Sequence, residues 1–350
     1  MRQNYPDNVV KAAVPVRPPT MRDVAALAGV SLKTVSRVVN SEPGVSEPLE
    51  RRVRDAVELL GYRPNVTASS LRRADQKTQT IGLLLEDVAN PFSSAVHRAI
   101  ENVAVPRGTL VLAASADEDP ARERELLLAF VSRRVDGLIV IPVGTDQSVM
   151  LRERRLGRPL VFIDRMGAIG DADVVTADNR GGVGAAVRHL VAHGHRRIAF
   201  LGDASWIWTA SERHLGYLEA SSACGISVDP RLVFFGVRNS NAATEIVREL
   251  LARADAPTAI FTAQNLITVG AIRGLQQLSR QHDVALVGFD DVELADLVQP
   301  PVTVVAQDPA ALGRTAAELL FGRLAGDRSP PRHVVVPTTL IPRGSGELAA

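Results

Sequence analysis

The chain has 350 residues, 46% hydrophobic and 23% charged, with one cysteine and a formal net charge of +1 at pH 7. That length suits two or three domains with their own cores. The lone cysteine excludes an internal disulfide framework and a cysteine cluster for zinc, and no apolar run reaches the roughly 18–20 residues of a membrane-spanning helix. The start, MRQNYPDNVVKAAVPVRPP, lacks the apolar core of a secretory signal, so the cytoplasm is the expected compartment. Charge is unevenly spread: residues 1–79 hold 13 Lys/Arg against 8 Asp/Glu, and the remainder holds 27 against 31. A basic front on a mildly acidic body points to a polyanionic partner for the front alone.

Residues 1–19 read as a flexible arm. From Thr20 the pattern turns helical, with three short helices expected near 21–28, 32–40 and 47–60, so that 20–63 forms one module. Val24, Ala25, Leu27 and Ala28 give the first helix an apolar stripe, Gly29 permits a tight turn, and Ser31 is a good N-cap for the second helix. That second helix divides by face. Val35, Val38 and Val39 point inward, whereas Lys33, Ser36, Arg37 and Asn40 share the opposite side.

Such a face suits a DNA major groove, where Lys33 and Arg37 can donate to guanine O6 and N7. Thr20, Ser31, Ser36, Asn40 and Ser46 are better cast as phosphate donors, and Leu32 and Thr34 complete the candidate set. An ordinary helical hairpin with a solvated face fits the periodicity equally well. Residues 64–79 are polar and read as a linker with a short helix starting near Asn65.

Beyond residue 80 come ten apolar runs: 81–85, 109–113, 137–141, 160–163, 174–177, 197–201, 232–235, 258–262, 284–288 and 302–306. Amphipathic helices separate most of them, as expected of an α/β body with doubly buried parallel strands. Ten strands are many for one sheet, and the series divides near Asp178 into two doubly wound halves with a cleft between. Cys224 reads as a small buried apolar group, and His193 and His195, in HGHRR, read as a turn before a strand rather than metal ligands. Trp206 and Trp208, the only tryptophans, stand in SWIWTASER; ring stacking on a ligand and ordinary core packing explain them equally well. No GxGxxG follows a strand, and neither GxxxxGK[ST] nor GxSxG is present, so no enzyme is expected.

TMRDVAALAGVSLKTVSRVVN followed by GVSEPLERRVRDAVELLGYRPN resembles the amino-terminal signature of the lactose-repressor and galactose-repressor (LacI/GalR) family. The resemblance continues in register through IGLLL, ANPF, RVDGLIV, VFIDR, DNRGG, HGHRRIAFLGD, RHLGY, PTAIF, VGFDD and LIPRGS, covering Thr20 to Ser345. It implies a helix-turn-helix domain, a hinge, and a body like the type I periplasmic binding proteins. That body would span 80–345, with one subdomain at about 80–177 and 306–335, the other at about 178–305 and 336–345, and a tail at 346–350. The three crossings would fall near Thr176 to Asp178, near Ala306 and near Val336.

The resemblance also implies a sequence-specific, ligand-responsive regulator, acting as a repressor on a pseudo-palindromic operator as a homodimer or a tetramer. It calls for no cofactor and no membrane, and the effector would be a sugar or related metabolite. In the hinge, Leu71 would wedge open the central base step, although Val66, Thr67 and Ser69 depart from the usual PNAAARSLR pattern. In the cleft the family pattern makes Pro91 and Phe92 an apolar wall, Asp164 a hydroxyl acceptor and Arg213 a bidentate donor, with Asp290 and Gln307 alongside. TAQNL carries Gln264 and Asn265 where the family commonly has Asn-Asp, so a particular sugar cannot simply be transferred.

Overall fold

In a computed structural model, described for residues 17–40, 42–63 and 77–350, the chain divides into two units that meet between Thr78 and Gln79. The first unit holds α1 (Met21–Ala28), α2 (Leu32–Val39) and α3 (Glu47–Leu60). Its core is Val24, Ala28, Val35, Val38, Val53 and Ala56, at i, i+3 or i+4 positions of the three helices, with Tyr62 just past the end of α3. Gly29 ends α1 with φ +63, a left-handed conformation in which a side chain is strained. A Cβ there would also lie 2.7 Å from Arg52 Nη2, which donates to the Ala28 carbonyl at 2.6 Å. The third helix thus caps the first. Leu27, assigned to the inward stripe from the sequence, is instead 48% exposed. The hinge candidates Asn65 and Leu71, with Val66, Thr67 and Ser69, lie outside the described residues.

The second unit runs β1 (Thr80–Leu85), α4 (Pro91–Ala104), β2 (Leu110–Ser115), α5 (Pro120–Ser132), β3 (Gly137–Val140), α6 (Ser148–Arg155), β4 (Leu160–Ile163) and β5 (Asp173–Ala177). It continues with α7 (Asn179–Ala192), β6 (Ile198–Leu201), α8 (Trp208–Ala223), β7 (Val233–Phe234), α9 (Ser240–Leu251), β8 (Ala259–Thr262) and α10 (Asn265–Gln277). The last elements are β9 (Ala285–Phe289), β10 (Thr303–Ala306), α11 (Pro309–Leu324), β11 (His333–Val336) and β12 (Thr339–Ile341).

These strands form two six-stranded sheets, β2-β1-β3-β4-β5-β11 and β7-β6-β8-β9-β10-β12. The chain passes between them after β5, after β10, and between β11 and β12. Every pairing is parallel except β10 with β12. Helices cover both faces, which is why the central runs are apolar without alternation. On the first sheet α4 and α11 share one core and α5 and α6 the other; on the second, α7 and α8 lie opposite α9 and α10. α4 and α11 approach so closely that a Cβ at Gly313 would sit 2.6 Å from the Val96 carbonyl oxygen.

Three expectations need correction. The purely parallel body acquires an antiparallel edge, and β11 and β12 were not among the ten apolar runs because both are short, with His333 and Val335 exposed. Cys224 is only half-buried, at the C-terminal end of α8. Residues 346–350, read as a tail, are docked: Leu348 packs against the second sheet and its carbonyl meets His195 Nε2 at 2.9 Å, while the Ala350 amide donates to the His193 carbonyl. His195 Nδ1 pairs with Thr258 Oγ1 at 2.9 Å, so this buried ring ties the chain end to the sheet.

Candidate functional site

On α2, Ser31 caps the helix by accepting from the Thr34 amide at 3.1 Å, and the two hydroxyls meet at 2.9 Å. Val35 and Val38 face the core, which leaves Lys33, Ser36, Arg37 and Asn40 on the outer side. Among the described residues no hydrogen bond or ion pair engages the Lys33 ammonium or the Arg37 guanidinium. Other members of the sequence-derived set are engaged. Thr20 donates to Asp23 Oδ2 from both its amide and its hydroxyl at 2.7 Å, and Asn40 Nδ2 donates to Ser36 Oγ at 3.3 Å. Leu32, 45% exposed on the first turn, offers an apolar contact of the kind that a thymine methyl takes, and Ser46 is the N-cap position of α3.

In the body, a cavity opens in the cleft between the two sheets, with about 720 Å³ of non-protein space once the open solvent at its mouth is counted. It lies at the carboxyl ends of the strands, where a doubly wound sheet places its ligand. From the first half come Glu86, Asp87, Asn90 and Phe92 after β1, Glu118 after β2, and Asp164 and Arg165 after β4. The second half supplies Asp203, Ile207, Thr209 and Arg213 after β6, Arg238 after β7, Gln264 after β8, Asp290 after β9 and Gln307 after β10.

Two of these acids sit in the left-handed region, Asp164 at φ +66 and Asp290 at φ +73, a conformation that aspartate tolerates better than most residues. Arg213 is held rigidly: Nε donates to Asn179 Oδ1 at 2.8 Å, Nη1 to the Ala263 carbonyl at 2.7 Å, and the guanidinium lies 3.9 Å from the centre of the Phe289 ring. Asp290 Oδ2 is 4.0 Å from Arg213, and its Oδ1 accepts from Gln307 Nε2 at 2.5 Å. Across the cleft Arg165 forms a bidentate pair with Glu118, at 3.0 and 2.5 Å, and lies 3.7 Å from Asp164.

Burial dominates the electrostatics. It pushes the carboxyls of Asp164 and Asp203 above the usual range and pulls the Arg213 guanidinium below its own. Glu86 is pushed up to about 7, because burial outweighs the attraction of Arg165 and the bond from Ser93 Oγ at 2.5 Å. A carboxyl raised from 4.5 to about 7 by folding loses stability as pH rises between those values. Glu86→Gln should therefore leave acid stability nearly unchanged and raise stability at pH 8 by up to roughly 3 kcal/mol. Urea titrations of both proteins at pH 5 and pH 8 check this; an equal difference at the two pH values would contradict it.

Of the sequence-derived cleft residues, Phe92, Asp164, Arg213, Gln264, Asp290 and Gln307 come together. Pro91 and Trp208 do not. Pro91 starts α4 on its exposed side, since a proline at the first helical position needs no N–H partner, and Trp208 is half-buried outside the cleft. Trp206 is 77% exposed and also stands apart, so ring stacking on either tryptophan has no geometric support. The sequence reading missed Glu86, Asp87, Asn90, Glu118, Arg165, Asp203 and Arg238. Their common signal was position, shortly after the end of an apolar run.

Asn265, where the family pattern has an acid, is buried and donates from Nδ2 to Asn90 Oδ1 at 2.7 Å, linking the two halves. Asn90 also caps α4 through the Phe92 amide at 3.1 Å. Asn265→Ala should remove about 1 kcal/mol of this link and speed amide exchange at the first turns of α4 and α10 about fivefold. Hydrogen-exchange mass spectrometry reads this directly, and unchanged exchange at both turns would count against a link.

A three-helix DNA-binding unit followed by a periplasmic-binding-protein-like body defines a ligand-responsive transcriptional regulator. Residues 20–65 match the model of bacterial regulatory proteins of the lacI family, and residues 187–346 match the periplasmic binding protein-like domain. Over 329 residues the chain is 32% identical to the ribose operon repressor of Escherichia coli (strain K12), covering 93% of this chain and 99% of that one. Over 339 residues it is 34% identical to the HTH-type transcriptional regulator CelR of Thermobifida fusca, covering 94% and 99%. The crystal structure of the lac repressor dimer bound to operator and the anti-inducer ONPF matches with a TM-score of 0.84 and 27% identity, over 95% and 100% of the two chains. The chain belongs to the lacI family of bacterial regulatory proteins. It is a sequence-specific DNA-binding protein whose operator binding responds to a small-molecule ligand.

Proposed function

We propose that this regulator is a cytoplasmic repressor which reads a pseudo-palindromic operator as a homodimer, with Lys33 and Arg37 of each α2 in successive major grooves. A sugar or related metabolite in the cleft changes the angle between the two halves of the body and thereby the affinity for DNA. The observation that carries the effector half of this reading is the concentration of unsatisfied polar atoms. Of the eight buried side-chain polar atoms without a hydrogen-bond partner among the described residues, Glu86 Oε2, Arg165 Nε, Gln264 Oε1 and Gln307 Oε1 belong to residues lining this cleft. Buried polar groups are nearly always paired, so four such atoms in one cavity fit a site that a polar ligand completes.

Relatives support a sugar-like ligand: one matching structure is a CelR-cellobiose complex, and another is a LacI-family regulator with bound ribose. Glu118 is tied to Arg165 and Asp290 to Gln307, an arrangement suited to holding a polar ligand, which favours binding over catalysis. Coupling of about 1–3 kcal/mol between cleft and operator gives a 5- to 150-fold response. The test is to select an operator from random duplexes with the full chain, then measure its affinity by fluorescence anisotropy across a panel of sugars and their amino and phosphorylated derivatives. An affinity that no member alters would overturn the effector assignment.

A further inference from the structure

We infer that the effector carries a protonated amine on a hydroxyl-rich frame, as an amino sugar or aminated polyol does, and that this amine seats against Glu86. The inference rests on the cleft being the effector site. Six carboxylates line the cleft, Glu86, Asp87, Glu118, Asp164, Asp203 and Asp290, against three guanidiniums, those of Arg165, Arg213 and Arg238. The two buried arginines are committed. Arg165 is clamped by Glu118, and Arg213 is turned to Asn179 and the Ala263 carbonyl beside Asp290, whereas Arg238 is exposed, near enough to Asp203 to lower its carboxyl but without a hydrogen bond or ion pair among the described residues.

An anionic ligand would therefore enter a site already rich in acids, with only the exposed Arg238 at its edge free to receive it. A wholly neutral sugar would satisfy hydroxyl-accepting atoms but bring no charge to offset Glu86 once it loses its proton above about pH 7. The partnerless atoms point the same way: three are acceptors, Glu86 Oε2, Gln264 Oε1 and Gln307 Oε1, and only Arg165 Nε is a donor. The missing partner is donor-rich.

Within that set Glu86 is the position for the charge. It is 5% exposed, its Oε1 is taken by Ser93 of α4, and its Oε2 faces no donor of the protein. The charged groups acting on it are Arg165 and Asp164, both from the segment after β4, and Arg165 is already shared with Glu118 and Asp164. A buried carboxylate in this situation holds its proton up to about pH 7. An arriving ammonium replaces that proton with three N–H donors, one for Glu86 Oε2 and the others for neighbouring acceptors.

The test uses the full-length protein and isothermal titration with matched pairs: glucosamine and glucamine against N-acetylglucosamine, glucose and glucitol, with the galacto and manno counterparts. At pH 7.5 an amine should bind at least tenfold tighter than its neutral match. Glu86→Gln should reduce that ratio about 10- to 100-fold, and Glu86→Asp, which keeps the charge, should retain part of it. Amine affinity should also fall by up to about tenfold per pH unit below 7, because a proton must then leave Glu86 before the ammonium can pair with it. Thermal unfolding of each variant reports whether it is folded.

A neutral ligand that equals its amine, or a preference that survives Glu86→Gln in folded protein, overturns the inference, as does failure of every amine to bind. If a neutral sugar binds and shifts operator affinity, the amine assignment falls while the effector cleft stands. A panel in which no member of either kind affects operator binding removes both.

Discussion

Arg37→Ala should weaken binding to the selected operator by between about 30-fold and 10⁴-fold while weakening binding to unrelated DNA only severalfold. Its guanidinium has no partner within the described residues and stands on the face of α2 opposite the buried Val35 and Val38. A bidentate arginine-guanine pair is worth about 1–3 kcal/mol of discrimination, and a dimer makes the contact twice. The non-specific loss is smaller because only one positive charge per subunit leaves the phosphate field. Ser36→Ala is the internal contrast. Ser36 already accepts from Asn40, so its loss should change specific binding only a few-fold. Anisotropy titrations on operator and scrambled duplexes at fixed salt give both numbers, and an equal loss on the two for Arg37→Ala would remove it from base reading.

The second large effect concerns stability. Asp173, at the start of β5, accepts from Arg323 Nε at 2.7 Å and Nη2 at 2.8 Å, and from the Arg332 amide at 2.8 Å. Its side chain is 1% exposed and that of Arg323 10%, so one carboxylate fastens β5 to α11 and to the entry of β11. Asp173→Ala leaves Arg323 with the carbonyls of Asp327, Ser329 and Pro330 and the Asp327 carboxylate but without its main counter-charge, and should cost about 3 kcal/mol at pH 7. Burial raises the Asp173 carboxyl, but the bonds from Arg323 and Arg332 outweigh it and hold the group below its usual range. Its contribution is therefore complete above the ordinary carboxylate value and is lost as pH falls through the depressed one. Urea unfolding should show the deficit at pH 7 and a much smaller one near pH 2; a deficit independent of pH would mean that the variant acts through lost packing alone.

The body was legible in sequence wherever burial on both sheet faces forced unbroken apolar runs, as at Ile81–Leu85 and Ala285–Phe289. β11 and β12 escaped notice because an edge strand of three or four residues, with His333 and Val335 exposed, has no such run. In the first unit Gly29 and Ser31 marked the turn through backbone demands that act locally. The outward position of Leu27, by contrast, depends on how α1 lies against α3.

The cleft was half-legible for a similar reason. Asp164, Arg213 and Asp290 stood inside extended motifs, whereas Glu86, Glu118 and Asp203 look like ordinary polar residues following a strand. Glu86 is buried against Ser93 of α4 and beside Arg165 and Asp164, neighbours brought to it by the fold and not by adjacency in sequence, and that burial raises its carboxyl. For the tryptophans the sequence left ligand stacking and ordinary packing equally open. Large rings near a ligand motif suggest stacking, but the Ile207–Ala210 turn into α8 carries Ile207, Thr209 and Ala210 to the cleft and leaves Trp208 beside it.

The two sheets share one strand order, and Asp164 and Asp290 follow the corresponding strands β4 and β9 with the same left-handed backbone. An effector seated in the cleft as proposed would thus lie between two near-copies of one unit, each offering its own acid, and would act as a bivalent tether. A fragment that satisfies only one copy gains the same free energy whether the halves are apart or together, and such a ligand occupies the cleft without shifting the equilibrium. Truncated or singly functionalised analogues of the effector should accordingly act as antagonists, competing for the cleft while leaving operator affinity where it was.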